Sequence, residues 1–419
     1  MTQMLNQPRG LDDPGLVTDT RPPRRPSVWW FVVRLVVAAM IAAGLVWVGL
    51  WLQEHQGRAA AFTLVTGVAF GVMLQRSQFC FFCNLRDLLQ RGDSGPTMGL
   101  LAALATGTVG YVVVMGSMMP DPTRGWGIPG DAHVAPVSWV MLMGGAIFGV
   151  GMSLSGSCLS GHLYRMGEGS LLAPIAIVGA FGGFVLGFMA WNPLYLRVIS
   201  DASVVWLPET VGGYGVTLLV QLGVLGLIAI PLLYLMKPRA GDAGKPGVRR
   251  AVRMVFVNRW PTWVGGVGIG ILGTFTYLRT RPLGVTAEMN RYARDLGERA
   301  GMTPERLEGL DRMRGCVLPE QAAWVSENGI FVLALVAGSL MVALLAGQFR
   351  LKREPWVACV MALVGGVMLG FGAMIALGCT VGTLLSGIHA GALAGWVFFA
   401  GMLPAMWVTL PLRRWLLRW

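Results

Sequence analysis

The stretch GGAIFGVGMSLSGSCLSG spans residues 144–161, and the related stretch GGVMLGFGAMIALGCTVG spans residues 365–382. Their equivalent glycines, and the cysteines Cys158 and Cys379, are separated by the same 221 positions (379 minus 158). In each copy a run of small and apolar residues predicts a helix, which leads into a short break rich in Gly, Ser or Thr. A duplicated, broken apolar helix with a thiol at the break predicts a membrane pore or transporter built from two related halves.

The composition is that of a membrane protein. Of the 419 residues, 54% are hydrophobic and 13% are charged, and the mean hydropathy is +0.61. Soluble domains carry about 25% charged residues. The 59 glycines would let helices approach closely and would permit helix breaks. We therefore predict an all-α polytopic membrane protein.

Ten apolar runs approach or exceed the ~20 residues that cross a bilayer. They occupy residues 28–52, 59–75, 97–119, 137–155, 170–191, 214–236, 261–278, 328–349, 355–377 and 393–412. Because a broken helix can return to the side from which it entered, we predict about nine or ten membrane spans.

The positive charge predicts the topology. The net charge is +12, and the basic N-terminal tail, residues 237–259, residues 350–353 and the C-terminal tail all fall on one side when ten crossings are counted. Basic loops stay in the cytoplasm, so both termini are predicted to be cytoplasmic. The fourth and ninth spans then run in opposite directions, which predicts inverted repeats. A weaker match, GVAFGVML at 67–74 to GVGIGILG at 266–273, agrees with this.

The chain divides accordingly into five segments. We predict a disordered cytoplasmic tail at 1–27, an extra N-terminal span at 28–58, a first repeat at 59–236, a basic cytoplasmic linker at 237–260 and a second repeat at 261–419, with an extramembrane loop at 279–326.

The two breaks are candidate anion sites. In lipid, a broken helix must line a polar cavity, and the N–H groups at the start of the next half-helix favour an anion there. A thiol is a weak donor and a weak acceptor, which suits a soft sulfur atom. One such cysteine would be explained by packing at a kink, but two at equivalent positions favour function. The neighbouring candidates are Ser157, Gly161, Gly378, Thr380 and Gly382.

A third thiol-bearing segment, CFFC, holds Cys80 and Cys83 between Arg76 and Arg86. Nearby cations attract anions and activate thiols. The alternative is an interfacial segment with incidental cysteines. A second CxxC or a His-rich partner for zinc is lacking, so we predict neither a metal site nor a cofactor. The weaker repeat match aligns Cys80 with Arg279, which leaves Cys80 without a counterpart.

The elements RSQFCFFCNLRDLL, GSCLSGHLYRMGEG and GCTVGTLLSG resemble the three cysteine motifs of the YeeE/YedE family of membrane proteins. The resemblance implies uptake of thiosulfate or a related sulfur species across the bacterial inner membrane. It also implies an hourglass-like pore of full helices and re-entrant half-helices, in which Cys80, Cys158 and Cys379 bind the substrate through S–H···S contacts. The segment RPLGVT at 281–286 is similar to a family stretch that opens the second half. Cys83 and the span at 28–58 depart from the family pattern.

The sequence thus favours an importer of thiosulfate or a related inorganic sulfur anion. Alternatives are a selenium-compound transporter of the same family, a membrane sulfurtransferase with a persulfide on Cys80 or Cys83, and a scaffold subunit without flux. The resemblance makes a small cytosolic sulfur carrier of the TusA type a candidate partner. Nucleic-acid binding is not indicated, because the basic residues are scattered among loops.

Overall fold

The structure, a computed structural model, describes residues 28–125, 127–128, 132–236, 259–304, 306–310, 326–351 and 354–416. The predicted tail at 1–27, most of the linker at 237–260, and Cys316 in the 279–326 loop lie outside the described residues. Within the described residues the protein is mainly helical, and two isolated β-bridges join Pro136 to Val204 and Trp206 to Ala392. The predicted all-α class is confirmed.

Fourteen helices make up the fold of the described residues. In chain order they are α1 (Val28–His55), α2 (Arg58–Ser77), α3 (Phe81–Arg91), α4 (Gly95–Met118), α5 (Trp139–Ser155), α6 (Leu159–Gly167), α7 (Leu172–Leu194), α8 (Tyr214–Tyr234), α9 (Thr262–Arg279), α10 (Thr286–Arg299), α11 (Glu327–Leu345), α12 (Trp356–Ile375), α13 (residues 380–389) and α14 (Leu393–Leu416). Within α13, Thr380–Ser386 is π-helical and Gly387–His389 is α-helical. Single turns form at Pro122–Arg124, Tyr195–Ile199 and Leu207–Thr210.

Nine helical segments of the described residues are long and apolar enough to cross a membrane, which agrees with the predicted nine or ten spans. The predicted seventh span forms α9, which is not one of the nine, because Arg279, five glycines and three threonines lower the mean hydropathy of its 18 residues. Helices α1 and α8 lie at the periphery and leave large apolar side chains exposed, as lipid contact requires.

The helices contact one another in reciprocal pairs. Helix α12 packs against α7, and α14 packs in the same way against α5; α9 packs against α4, and α11 against α2. Helix α10 contacts α7 and α11, as α3 contacts α14 and α4. This pattern is the one expected if α2–α7 and α9–α14 are related by a two-fold axis, so it is consistent with the predicted inverted repeat. Helix α1 packs on α11 as α8 packs on α4.

Glycines allow α5 and α12 to cross at the centre. A Cβ atom on Gly372 would lie 2.7 Å from the carbonyl oxygen of Gly144, and one on Gly365 would lie 2.8 Å from that of Gly151. Any larger residue would push the two backbones apart. The same crossing therefore uses both copies of the glycine pattern that the sequence repeats.

Four helices, α3, α6, α10 and α13, are too short to cross a bilayer and are called half-helices below. Helix α6 ends beside Glu168, and this end of the bundle is called the Glu168 side. Helix α13 ends beside Trp206, whose indole N–H donates to the carbonyl of Ala390, and this end is called the Trp206 side. Helix α8 starts on the Trp206 side, where the Tyr214 and Trp206 rings lie 6.0 Å apart.

Candidate functional site

Each of the three cysteines predicted to bind substrate immediately precedes a half-helix. Cys80 is the N-cap residue of α3, Cys158 that of α6 and Cys379 that of α13. All three side chains are fully buried and all three thiols are free. The first N–H groups of a helix have no partner within the helix and carry partial positive charge. The structure therefore places each thiol at the positive end of a helix.

Unusual backbone conformations precede the half-helices α3, α6 and α13. Gly156 ends α5 in the left-handed region at φ 82°, and its N–H bonds to the carbonyl of Met152. Gln78 ends α2 at φ 53°, and Leu377 lies in the second break at φ 56°. Non-glycine residues adopt this region rarely, and Gly156 adopts it without a Cβ penalty. These turns let the chain stop one helix and start the next within a few residues.

The first two thiols are in contact. Cys80 Sγ lies 3.6 Å from Cys158 Sγ and 3.4 Å from Ser157 Oγ, while Ser160 Oγ lies 3.3 Å from Cys158 Sγ. Gly161 closes this cluster, because a Cβ there would lie 2.8 Å from Cys80 Sγ and would collide with Ser157 Oγ. The structure thus unites four residues that the sequence selected and adds Ser160.

The third thiol lies at a separate junction. The backbone N–H groups of Val381 and Gly382 face Cys379 from its own half-helix. The backbone N–H of Val285 and the side chain of Thr286, at the start of α10, also face the thiol. Cys379 is thereby surrounded by donors, as an anion site requires.

Thr380 and Gly378 lie on either side of Cys379 in the chain. The Thr380 side chain lies beside Cys158, so the two breaks approach each other at this residue. A Cβ on Gly378 would lie 3.2 Å from the ring of His133, whose Nε2 is 3.1 Å from Thr383 Oγ1. The segment that carries His133 packs over the second break from the Trp206 side.

Cys83, one turn along α3 from Cys80, is held by an arginine that sequence reasoning missed. Arg165 Nη2 donates to Cys83 Sγ at 2.9 Å, and Arg165 Nη1 donates to the carbonyl of Gly156 at 3.1 Å. Arg86 pairs with Asp87 at 3.0 Å. The Arg165 guanidinium therefore connects Gly156, at the end of α5, to Cys83 on α3.

Arg76, which the sequence also suggested, has a different place. Its guanidinium is buried and lies 5.9 Å from the centre of the Trp260 ring. Its backbone carbonyl accepts the N–H of Trp260 at 2.8 Å. These contacts fasten the start of the second half to the end of α2.

A carboxylate and three glutamines occupy the Glu168 side. Glu168 Oε1 accepts from Gln75 Nε2 at 3.3 Å and from Gln78 Nε2 at 3.2 Å, and Gln75 also donates to Gln348 at 2.6 Å. Burial raises the pKa of Glu168, and the charge of Arg165 opposes that rise. Sequence reasoning missed this cluster, although a glutamine inside an apolar helix was a usable signal.

The alignment of Cys80 with Arg279 is wrong. Arg279 ends α9, and its guanidinium lies 5.0 Å from the centre of the Phe62 ring. The residue that caps α10, as Cys80 caps α3, is Val285, and Thr286 follows it. The segment between α9 and α10 is longer than that between α2 and α3, so a constant offset fails there.

The chain is similar to known membrane transport proteins. A family model described as "Sulphur transport" matches residues 76–408. A relative from Spirochaeta thermophila named thiosulfate transporter TsuA is 25% identical over 361 residues, which cover 82% of this chain and 97% of the relative. A TsuA from Escherichia coli is 25% identical over 83% of this chain and 92% of its own length. A probable transporter YedE from Escherichia coli is 25% identical over 39% of this chain and 37% of its own length.

Proposed function

The chain belongs to the sulphur-transport family, and from this premise we propose that it imports thiosulfate or a related inorganic sulfur anion past Cys80, Cys158 and Cys379. It is a multi-pass membrane transporter rather than an enzyme, as its relatives are. Two of those relatives carry the name thiosulfate transporter, which supports this substrate class.

The observation that carries the proposal is the convergence of capped half-helices. Cys80 and Cys158 lie 3.6 Å apart at the starts of α3 and α6, and Thr380 at the start of α13 lies beside Cys158. Moving a dianion out of water costs at least several kcal/mol. A helix N-terminus stabilises a nearby anion by up to ~2 kcal/mol in a partly buried geometry. Several such ends acting on one anion are therefore needed, and the starts of α3, α6 and α13 would supply them.

Thiols suit an ion that must leave as well as enter. Thiosulfate presents a soft terminal sulfur beside a group of hard oxygens. A thiol hydrogen bond is weak, so the terminal sulfur exchanges one thiol for the next at small cost. Conduction needs sites that bind the ion strongly enough for it to enter and weakly enough for it to leave. No covalent step is required.

The direction of import follows from the predicted topology. Arg413 and Arg414 end α14, where Arg414 bonds to Gln90 at the end of α3. Basic ends belong to the cytoplasm, so we assign the Glu168 side to the cytoplasm of a bacterial inner membrane. The anion would then enter from the Trp206 side, meet Cys379 first and leave past Cys80. A small sulfur carrier of the TusA type would receive it there.

Uptake into proteoliposomes tests the proposal. Purified wild-type protein should carry thiosulfate labelled in its terminal sulfur into the vesicles down its concentration gradient, and empty liposomes should not. Excess unlabelled thiosulfate should compete, while sulfate, sulfite and selenium analogues rank the substrates. Stronger competition by a selenium analogue would favour the selenium alternative. An absence of flux from a well-folded preparation would favour the scaffold alternative and reject transport.

A further inference from the structure

Thr286, one residue after the α10 cap Val285, contacts the second break as Cys80, the cap of α3, contacts the first. Helix α10 contacts α7 and α11 as α3 contacts α14 and α4. The Cys80 thiol meets Cys158 at the start of α6, and the Thr286 side chain meets Cys379 at the start of α13. The two junctions therefore share one plan, but one pairs two sulfur atoms and the other pairs a sulfur atom with a hydroxyl.

The hydroxyl of Thr286 is buried beside the Cys379 thiol but is not aligned for a hydrogen bond with it. Its side chain is 1% exposed, and Oγ1 has no hydrogen-bond partner among the described residues. Thr380 is also fully buried, and its Oγ1, which lies beside Cys158, is likewise not aligned for a hydrogen bond with any of the described residues. By contrast, the Thr383 hydroxyl, one turn along α13, donates to the carbonyl of Ala376. A buried hydroxyl without a partner is costly, and a ligand that accepts from it removes that cost.

We propose that Thr286 and Thr380 donate hydrogen bonds to the oxygen atoms of a sulfur oxyanion whose terminal sulfur contacts Cys379 and then Cys158. This proposal rests on the transport function proposed above and deepens it by adding two substrate-binding residues. A hydroxyl is a stronger donor to oxygen than a thiol is. Together the two kinds of side chain select an anion with one exposed sulfur and several oxygens, and disfavour hydrosulfide, which has no oxygen.

The order of the groups suits a passing ion. Cys379 has Thr286 on one side and is followed in the chain by Thr380, which leads to Cys158. An ion that moves from one break to the next keeps a sulfur contact and an oxygen contact at each. Beyond Cys158 the pathway continues with Cys80, where the hydroxyl within 3.4 Å belongs to Ser157.

Isosteric substitutions distinguish the effect of the hydroxyl donor from the effect of side-chain volume. Thr286→Val and Thr380→Val remove the donor and keep the volume, whereas Thr286→Ser keeps the donor. The matched control is Thr108→Val on α4, which is also buried with a hydroxyl that lacks a partner among the described residues. Proteoliposomes would be assayed for the KM and maximal rate of thiosulfate uptake, and for inhibition of that uptake by hydrosulfide.

Each valine variant should raise the KM for thiosulfate about tenfold, which corresponds to one hydrogen bond of about 1.4 kcal/mol. Thr108→Val should match wild type, whereas Thr286→Ser should lose less affinity than Thr286→Val because it keeps the donor. Hydrosulfide should inhibit the valine variants relatively better than it inhibits wild type. Thr286→Cys, which recreates a pair of thiols, should shift the preference in the same direction and replaces Thr286→Val if that variant does not fold.

This proposal would be overturned if Thr286→Val, Thr380→Val and Thr286→Cys all kept the KM and the order of inhibitors of an active wild-type protein. The transport function would still stand in that case. An equal loss in Thr286→Ser would also overturn it, because bulk rather than the donor would then matter. Inactive wild-type protein would overturn the proposed function instead, so the two failures are distinct.

Discussion

The sulfur atoms of Cys80 and Cys158 lie 3.6 Å apart, although 78 positions separate the two residues in the chain. Both thiols are free and buried. A disulfide would bring the two sulfur atoms to about 2.05 Å. The observed separation therefore suits a weak S–H···S contact, and a substrate sulfur would pass between the two thiols with little movement.

Replacing the thiols by hydroxyls should stop transport. We expect Cys158→Ser and Cys379→Ser each to lower thiosulfate uptake at least about tenfold, because a hydroxyl is a poor partner for a soft sulfur atom. Cys359→Ser, on α12 and away from both breaks, is the control. Uptake in proteoliposomes gives the rates, and chromatography in detergent checks the fold. Full uptake by both variants would contradict the thiol pathway.

Adding one methyl group to Gly161 should also stop transport. The new Cβ would lie 2.8 Å from Cys80 Sγ and 3.3 Å from Cys158 Sγ, so the two thiols would be forced out of place. We expect Gly161→Ala to reduce uptake about tenfold or more. Gly182→Ala, on α7 where a Cβ meets nothing within 4 Å, should behave like wild type. Equal rates for the two variants would show that the cluster tolerates a larger residue.

The crossing of α5 and α12 should be sensitive to size. A Cβ at position 372 would lie 2.7 Å from the Gly144 oxygen and 2.8 Å from the Phe148 nitrogen, both of them backbone atoms. Overpacking of this kind costs about 1–3 kcal/mol. We therefore expect Gly372→Ala to lower the melting temperature in detergent, while Gly226→Ala on α8, which meets open space, should not. Identical melting curves would contradict the close approach.

Arg165 should matter more than the thiol it contacts. Arg165→Gln loses the bonds to the Gly156 carbonyl and to Cys83, and we expect uptake to fall about tenfold. Cys83→Ser keeps the bond to Gly156 and should change uptake by no more than about threefold. Mass spectrometry of wild-type protein after incubation with thiosulfate should show Cys83 unmodified. A gain of one sulfur atom there, removed by reductant, would revive the sulfurtransferase alternative.

The carboxyl of Glu168 should link stability to pH. Burial raises its pKa above the ordinary 4.5 and prevails over the charges of Arg165 and Arg259. The folded protein therefore binds this proton more tightly than the unfolded chain does. As pH rises from below 4.5 through the raised pKa, wild type should lose stability that Glu168→Gln keeps. Melting temperatures of both proteins across this range measure the difference, which should widen with pH.

Glu54→Gln, at the exposed end of α1, controls for removal of a carboxyl group. A difference between wild type and Glu168→Gln that stays constant with pH would contradict the assigned role of burial.

The sequence alone predicted much of the helical frame. Long apolar runs identify membrane helices because lipid accepts little else. The predicted run 28–52 became Val28–His55, and the predicted run 393–412 became Leu393–Leu416. The repeated glycine pattern also located both breaks, since the chain does stop and restart at Cys158 and Cys379.

Contacts between distant segments lay beyond sequence reasoning. Nothing in the spacing of Cys80 and Cys158 shows that α3 and α6 begin at one point, because packing of whole helices sets that distance. Thr286 was hidden for a different reason: the longer segment before α10 displaced it from the repeat offset. Arg165 stood in a short polar segment, where only the fold reveals that it reaches Cys83.

The reciprocal arrangement of the half-helices has a consequence for energetics. Helices α3 and α6 lead from the thiols to the Glu168 side, and α13 leads to the Trp206 side, so an anion meets positive helix ends from whichever mouth it enters. These helix ends stabilise the anion whichever way it travels, so they supply no driving force for uptake. Net accumulation must then come from removal of the anion or its sulfur on the receiving side, and in a closed vesicle the flux should reverse when the gradient is reversed.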